Sequence, residues 1–562
     1  MRPATVSRLT MAVAALVCAL LALQPATARA ASYTKISGGG STWSSNALDQ
    51  WRRNVAANSG MTVNYSPVGS SVGREQFKNG TADFAVSEIP YGLTESGMRD
   101  APPKRGYAYM PIVAGGTAFM YNLRIGGRKV TNLRLSGDVI TRIFTGALTM
   151  WNAPEIRADN PGLVLPARRI IPVVRSDGSG TTAQLTTWLA KEHGGLWDAY
   201  CRRAGRSTPC GMTSYFPVVP GSSTIAKSGS LGVSGYTKQG HAEGAITYVE
   251  YSYAIKTGFP VAKVLNASGY YVEPTASSVA VALMKARINE DKNSENYLTQ
   301  ILDGVYRSAD RRTYPLSSYS YMIVPTKAES PFTTAKGKTL GSFANYFLCE
   351  GQQQAEELGY SPLPKNLVEA GFTQVRRIPG APSAAIDIKS CRNPTFSSDG
   401  SNTLARNAPY PKACDKRGTT QCADGTAGAK QQTRVNSGSG GGGSGGASAG
   451  GTGGTGSAGG KGGAGTAGAS GGSTGTDGAS GAAAGGAAPG AVDPDTGELI
   501  EGSAGGGDAS VVGNPVTLAA GGSPGLRGVL MALSAVLLLG VVVGPPLTAR
   551  ALAARNRRKE GP

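Results

Sequence analysis

Arg175-Ser176-Asp177-Gly178-Ser179-Gly180-Thr181-Thr182 is the stretch that decides the fold of this 562-residue chain. It follows the apolar, strand-like residues 170–174 and opens an amphipathic segment at 183–190. A strand that turns through glycine and small hydroxyl residues directly into a helix is a building unit of α/β sheets. The start of such a helix carries free backbone N–H groups at its positive end and can hold an anion. An ordinary serine N-cap after a glycine turn reads the same way without any ligand. Two further strand-to-helix turns tip the balance: Gly40-Ser41-Thr42 and Gly69-Ser70-Ser71.

The flanking pattern repeats at each turn. A strand at 33–37 leads into Gly38-Gly39-Gly40-Ser41-Thr42-Trp43, then a helix whose Leu48, Trp51 and Val55 share one face and which stops near Gly60. A strand at 61–65 precedes Gly69-Ser70-Ser71-Val72-Gly73 and a helix ending at Asn79-Gly80. A third short strand, 82–87, ends at Glu88. In open α/β sheets ligands bind at the carboxyl ends of strands, where such turns gather. Converging, the three turns would surround one tetrahedral oxyanion. Residues from about 32 to 388 form one globular region too large for a single core, so two lobes are expected.

The ends of the chain have other roles. Arg2 and Arg8, the apolar residues 9–23 and Ala28-Arg29-Ala30 read as a secretory signal peptide occupying 1–30, with Cys18 inside it. Residues 529–547 are apolar and long enough to cross a bilayer. The basic tail 548–562, with Arg550, Arg555, Arg557, Arg558 and Lys559, places the C-terminus in the cytoplasm and the bulk of the chain outside. Residues 426–525 are rich in Gly, Ser, Ala and Thr and behave as a flexible tether, with a root-mean-square span of roughly 50–60 Å.

The formal charge of +19 falls by three with Arg2, Arg8 and Arg29, and by four with the tail's five cations and Glu560, leaving +12 outside the membrane. That excess favours anionic partners, but the cations are scattered, which argues against nucleic acid. Six cysteines remain in an exported chain, so disulfides are expected, with 15 possible connectivities. Close spacing favours Cys201–Cys210 and Cys414–Cys422, leaving Cys349–Cys391. With no C-x-x-C spacing and only His193 and His241, neither a metal nor another cofactor is expected.

Several motifs in order carry a family resemblance: Gly-Gly-Gly-Ser-Thr-Trp at 38–43, Val-Asn-Tyr at 63–65, Val-Gly-Ser-Ser at 68–71 and Ala-Asp-Phe-Ala-Val-Ser at 82–87. The 175–182 stretch, Gly-Ala-Ile-Thr-Tyr-Val-Glu-Tyr-Ser-Tyr-Ala at 244–254, Tyr-Pro-Leu at 314–316 and a helical stretch at 343–358 complete it. Over about residues 33–378 the chain resembles the phosphate-binding component of the high-affinity phosphate ABC transporter, a two-lobed periplasmic-type binding protein. The resemblance implies a substrate-binding domain at 31–390, with lobe 1 at about 33–113 and 252–388 and lobe 2 at about 114–251. Hinge strands would cross near Ala114 and Tyr251. Residues 391–425 form a Cys-containing extension outside the match.

The resemblance also implies the ligand set. Thr42 and Ser70, with the N–H of Trp43, would give donors from the first lobe. Arg175 would bind phosphate through charge-assisted bonds, oriented by Asp177, and Ser179, Gly180 and Thr181 would present the helix N-terminus. Glu88 stands where the family usually has Asp, the acceptor for a phosphate proton, which would exclude sulfate by repulsion. A surface position beside Pro90 is the competing expectation for Glu88. The implied function is capture of inorganic phosphate for the permease of an ABC importer by a monomeric, membrane-anchored extracellular protein. An oxyanion-sensing or adhesion-type surface protein on the same fold is the alternative. An enzyme acting on phosphate esters is disfavoured: no histidine is placed to activate Ser70 or Ser179, and the Gly-Lys-Ser/Thr of a nucleotide P-loop is missing.

Overall fold

The computed structural model describes residues 33–431, apart from 96–97, 295 and 384–386. The expected signal peptide, most of the expected linker, the apolar segment 529–547 and the basic tail lie outside the described residues. Among the described residues no helix is long and apolar enough to cross a membrane.

The first lobe is built from β1 (Ile36–Gly40), α1 (Ser45–Ser59), β2 (Val63–Ser66), α2 (Ser70–Lys78) and β3 (Phe84–Ser87). Strand β1 pairs in parallel with both β2 and β3. It begins later than the apolar residues suggest and runs through all three glycines of Gly38-Gly39-Gly40. Close packing explains this: a Cβ on Gly38 would lie 2.3 Å from the Phe84 ring, and one on Gly73 of α2 would lie 2.2 Å from the Gly40 Cα. Only hydrogen fits where helix and strand approach so closely. Helix α1 buries Leu48, Trp51 and Val55 and ends at Gly60, whose φ of 66° is the left-handed stop the sequence implies.

A single 15-residue strand, β4 (Tyr107–Tyr121), joins the two lobes. Beyond it come β5 (Arg134–Leu135), β6 (Ile171–Arg175), α3 (Gly180–Glu192), β7 (Ile225–Lys227), α4 (Gly229–Thr237) and β8 (Ala245–Glu250). They are followed by β9 (Val261–Leu265), β10 (Tyr271–Val272), α5 (Ala276–Leu283) and β11 (Ser317–Pro325). The strand order is β7-β6-β8-β4-β11-β3-β1-β2. The N-terminal half of β4 pairs with β11 in the first lobe, and its C-terminal half pairs with β8 in the second. Every residue of β8 and β11 is buried, as expected of strands covered on both faces. Strand β9 pairs with the C-terminal half of β4 and with β5, so the second lobe extends past Tyr251, the boundary the sequence suggests.

All three expected disulfides form: Cys201–Cys210, Cys349–Cys391 and Cys414–Cys422. The extension after Cys391 is packed against both lobes. Near its start, Asn393 and Thr395 donate to the carbonyl of Leu363. Farther on, the buried Arg134 donates to the carbonyls of Cys414 and Thr419, at 2.9 and 2.7 Å. The boundary expected at 426 comes too early. Thr426 is fully buried, and its hydroxyl and N–H bond the carbonyls of Val261 and Thr131. Glycine-rich composition does not release a segment whose backbone groups have partners on a folded surface.

Cys349–Cys391 ties the extension to the first lobe across 42 residues. Loop-closure entropy for that length gives about 4 kcal/mol. Replacing both cysteines with alanine is therefore expected to lower the melting temperature by roughly 5 °C. Scanning calorimetry checks this, and an unchanged midpoint contradicts it.

Candidate functional site

Three turns and the end of β3 meet between the lobes. Glu88 follows β3 directly and is 1% exposed, which rules out the surface position beside Pro90. Its Oε1 accepts hydrogen bonds from Ser41 and Ser320, each at 2.5 Å, and its Oε2 accepts one from Ser70 at 2.9 Å. Ser70 opens α2 because Gly69 before it takes a φ of 93°. Burying an ionised carboxylate costs several kcal/mol, whereas each bond to a charged acceptor returns about 1.5–3 kcal/mol. Burial raises the pKa of Glu88 above the usual carboxylate range, against the lowering effect of Ser320, Ser41, Ser70 and the Arg175 charge.

The second lobe brings a cation to the same place. Arg175, the last residue of β6, is 2% exposed. Its guanidinium lies along Asp177, with Nε donating to Oδ1 at 2.7 Å and Nη2 to Oδ2, and Nη1 reaches the Ser230 hydroxyl at 3.4 Å. Asp177 also accepts from the Gly229 N–H at 2.9 Å. Burial opposes ionisation of Asp177, but the Arg175 charge and these donors outweigh it and hold the carboxyl below its ordinary pKa.

Helix α3 starts beside this pair. Ser179 caps it, accepting from the Thr182 N–H at 3.2 Å. Gly180 is so close to the first lobe that a Cβ there would lie 2.0 Å from Glu88 Oε2 and 2.6 Å from Ser70 Oγ. The Thr181 hydroxyl is buried without a hydrogen-bond partner.

The lobes are in contact around these groups. The Ser71 N–H donates to the Gly178 carbonyl at 3.0 Å, and Thr42 Oγ1 lies 2.8 Å from Ser230 Oγ. Gln184 donates to the Glu88 carbonyl at 2.8 Å, and Glu95 accepts from Ser214 at its N–H and hydroxyl. At the edge of the cleft Lys191 pairs with Asp303, and Glu192 with Arg307.

The structure thus brings Thr42, Trp43, Ser70, Glu88, Arg175, Asp177, Ser179, Gly180 and Thr181 to one interlobe cleft. One detail differs from expectation: the Trp43 N–H donates to Ser41 Oγ at 3.0 Å, within its own loop. Ser230 and Ser320 carry no mark in the sequence as site residues, and Ser41 is marked only as part of the Gly40-Ser41-Thr42 turn. Ser41 sits in the Gly-Ser-Thr turn and was open to inference, but Ser320 lies in a run of alternating Ser and Tyr with no local signal. His193 rests against Trp188 at the C-cap of α3, the opposite end of that helix from Ser179, and His241 rests against Tyr236. Among the described residues no group of three or more His, Cys, Asp or Glu side chains is placed to hold a metal ion.

Two α/β lobes joined by a long strand, closing on buried hydroxyls, an arginine and a helix N-terminus, define a periplasmic-type solute-binding protein. A family model described as a PBP superfamily domain matches residues 25–350. The chain is 30% identical over 345 residues to the phosphate-binding protein PstS of Xylella fastidiosa (strain Temecula1 / ATCC 700964), covering 61% of this chain and 86% of that one. It is also 30% identical over 342 residues to phosphate-binding protein PstS 3 of Mycobacterium tuberculosis (strain ATCC 25618 / H37Rv), covering 60% and 85%. Among solved structures, a high-affinity periplasmic phosphate-binding protein (PfluDING) bound with phosphate at pH 8.5 is 19% identical, covering 62% of this chain and all of that one, with a TM-score of 0.45. The chain belongs to the PBP superfamily and, within it, to the PstS proteins.

Proposed function

We propose that the chain captures inorganic phosphate by lobe closure and presents it to the permease of an ABC importer. The observation that carries this is the meeting of Arg175, the α3 N-terminus, the unpartnered Thr181 hydroxyl and the Glu88 carboxylate in one cleft. Arginine and helix N–H groups favour a tetrahedral oxyanion, and a bound phosphate would complete the hydrogen bonding of Thr181. Glu88 accepts from three hydroxyls, and a carboxylate offers about four lone-pair sites. The remaining acceptor site suits the proton of phosphate and repels sulfate, which carries none at neutral pH. A serine nucleophile needs an adjacent base, and His193 stands at the opposite end of α3 from Ser179.

The protein acts outside the cell, released from its signal peptide and held by the apolar segment 529–547 through the glycine-rich tether. Protease added to intact cells is expected to release the binding domain and leave the C-terminus protected. Calorimetry on the full-length protein against phosphate, arsenate, sulfate and molybdate tests the ligand. Phosphate should bind at least about a hundredfold more tightly than sulfate, as expected when a buried polar group is left unpaired by the wrong ligand. Equal affinity for both, or none for phosphate, overturns the assignment.

A further inference from the structure

Glu88 carries one more methylene than the aspartate usual in the family, and something must fold that extra length away. Its two oxygens are treated differently. Oε1 is saturated, taking Ser41 from the first turn and Ser320 from β11 at 2.5 Å each. Oε2 takes only Ser70 and faces Gly180 at the head of α3. Ser320 reaches Glu88 across 232 positions of sequence, from the strand that lies between β3 and β4.

The sheet is irregular at this point. Ser320 pairs with Val113 but Tyr321 with Pro111, so Ile112 is the extra residue of a bulge in β4. Pro111 has no N–H to give the ladder, and the Ile112 carbonyl is satisfied by Gln352 at 2.9 Å. Bulges next to ligand sites bend a strand and re-aim its neighbours. Ser41 is fixed as well, since it accepts the Trp43 N–H while donating to Glu88.

We propose that Ser41 and Ser320 are positioning residues that draw Oε1 of Glu88 back into the first lobe, turn Oε2 toward the anion, and so set the preference for a protonated oxyanion. This rests on the phosphate-binding reading of the cleft. The two hydroxyls also stabilise the ionised carboxylate, the form that accepts a ligand proton. The charged or titratable side chains facing Glu88 are Arg175 from β6, Tyr65 from β2 and Tyr321 from β11. Both tyrosines are held neutral by burial, so Arg175 is the only one of the three that carries charge.

The test is calorimetry on the full-length protein with inorganic phosphate and with sulfate at pH 6, 7 and 8.5, for the parent, Ser320→Ala and Ser41→Ala. Each variant loses one donor to the ionised form, so Glu88 holds its proton to higher pH. The ratio of phosphate to sulfate affinity is expected to fall roughly tenfold in each variant at pH 7. The loss should grow as the pH is lowered and shrink as it is raised, because the missing donor favours the protonated carboxyl. A merely structural serine would shift both anions equally at every pH. A parent-like ratio and pH profile in either variant overturns the inference, and so does an equal loss for both anions. If Ser320→Ala does not fold, Ser41→Ala carries the same prediction alone. Failure of the parent itself to bind phosphate sinks the functional reading instead, so the two failures are distinct.

Discussion

Replacing Arg175 with methionine is expected to weaken phosphate binding by between about thirtyfold and several thousandfold. The guanidinium is buried and held by both oxygens of Asp177, with Ser230 at its far side. Removing one member of a buried, hydrogen-bonded charge pair costs about 2–5 kcal/mol, much of it the penalty of leaving the other charge unpaired. Here the survivor is Asp177, a second negative charge close to a bound anion. Arg175→Lys should recover little, because an ammonium cannot span both carboxylate oxygens and still reach the ligand. Adding Asp177→Asn to Arg175→Met should recover part of the loss by removing the unpaired charge, a coupling that a double-mutant cycle reads directly. Titration calorimetry measures the affinities, and circular dichroism confirms that each variant is folded. Parent-like affinity in Arg175→Met would remove the arginine from the site.

The residues that made this cleft legible are those whose job is local. Arg175 to Thr182 announces a strand end, a turn and a capped helix because neighbours in sequence are neighbours in space there. The same holds for Ser70 behind Gly69 and for the stop at Gly60. What stayed hidden depends on contacts between distant segments. Ser320 meets Glu88 only because β11 inserts between β3 and β4, an order no local pattern encodes. Gly38 to Gly40 read as a loop from composition, yet tight packing against Phe84 and Gly73 places them in a strand. The extension after Cys391 lies outside the family match, and no local pattern shows that its backbone carbonyls satisfy Arg134, a cation buried in the second lobe. In each case tertiary packing overrode local propensity.

Gly180→Ala is expected to weaken phosphate binding by roughly a hundredfold or more while leaving the fold intact. Within its own lobe the substitution is tolerated, since Gly180 is the first residue of α3 and is not among the glycines with positive φ. The added methyl meets the other lobe instead. Its position is 2.0 Å from Glu88 Oε2, 2.6 Å from Ser70 Oγ and 3.0 Å from Glu88 Cβ. All three atoms belong to the first lobe, so the clash exists only when the lobes close. Glu88 has little freedom to yield, because Ser41 and Ser320 hold its other oxygen. Closure would therefore have to stop short, leaving Arg175 and the α3 N-terminus too far from the ligands contributed by Ser70 and Glu88 to act with them. A ligand shifts a conformational equilibrium only by its differential affinity for the closed form, and here that difference is removed. The expected result is a melting temperature without phosphate equal to or above the parent's, little stabilisation when phosphate is added, and no ligand-induced decrease in radius of gyration by small-angle X-ray scattering. Parent-like affinity together with normal compaction would mean that Glu88 can swing aside, and that the tight approach of Gly180 does not control closure.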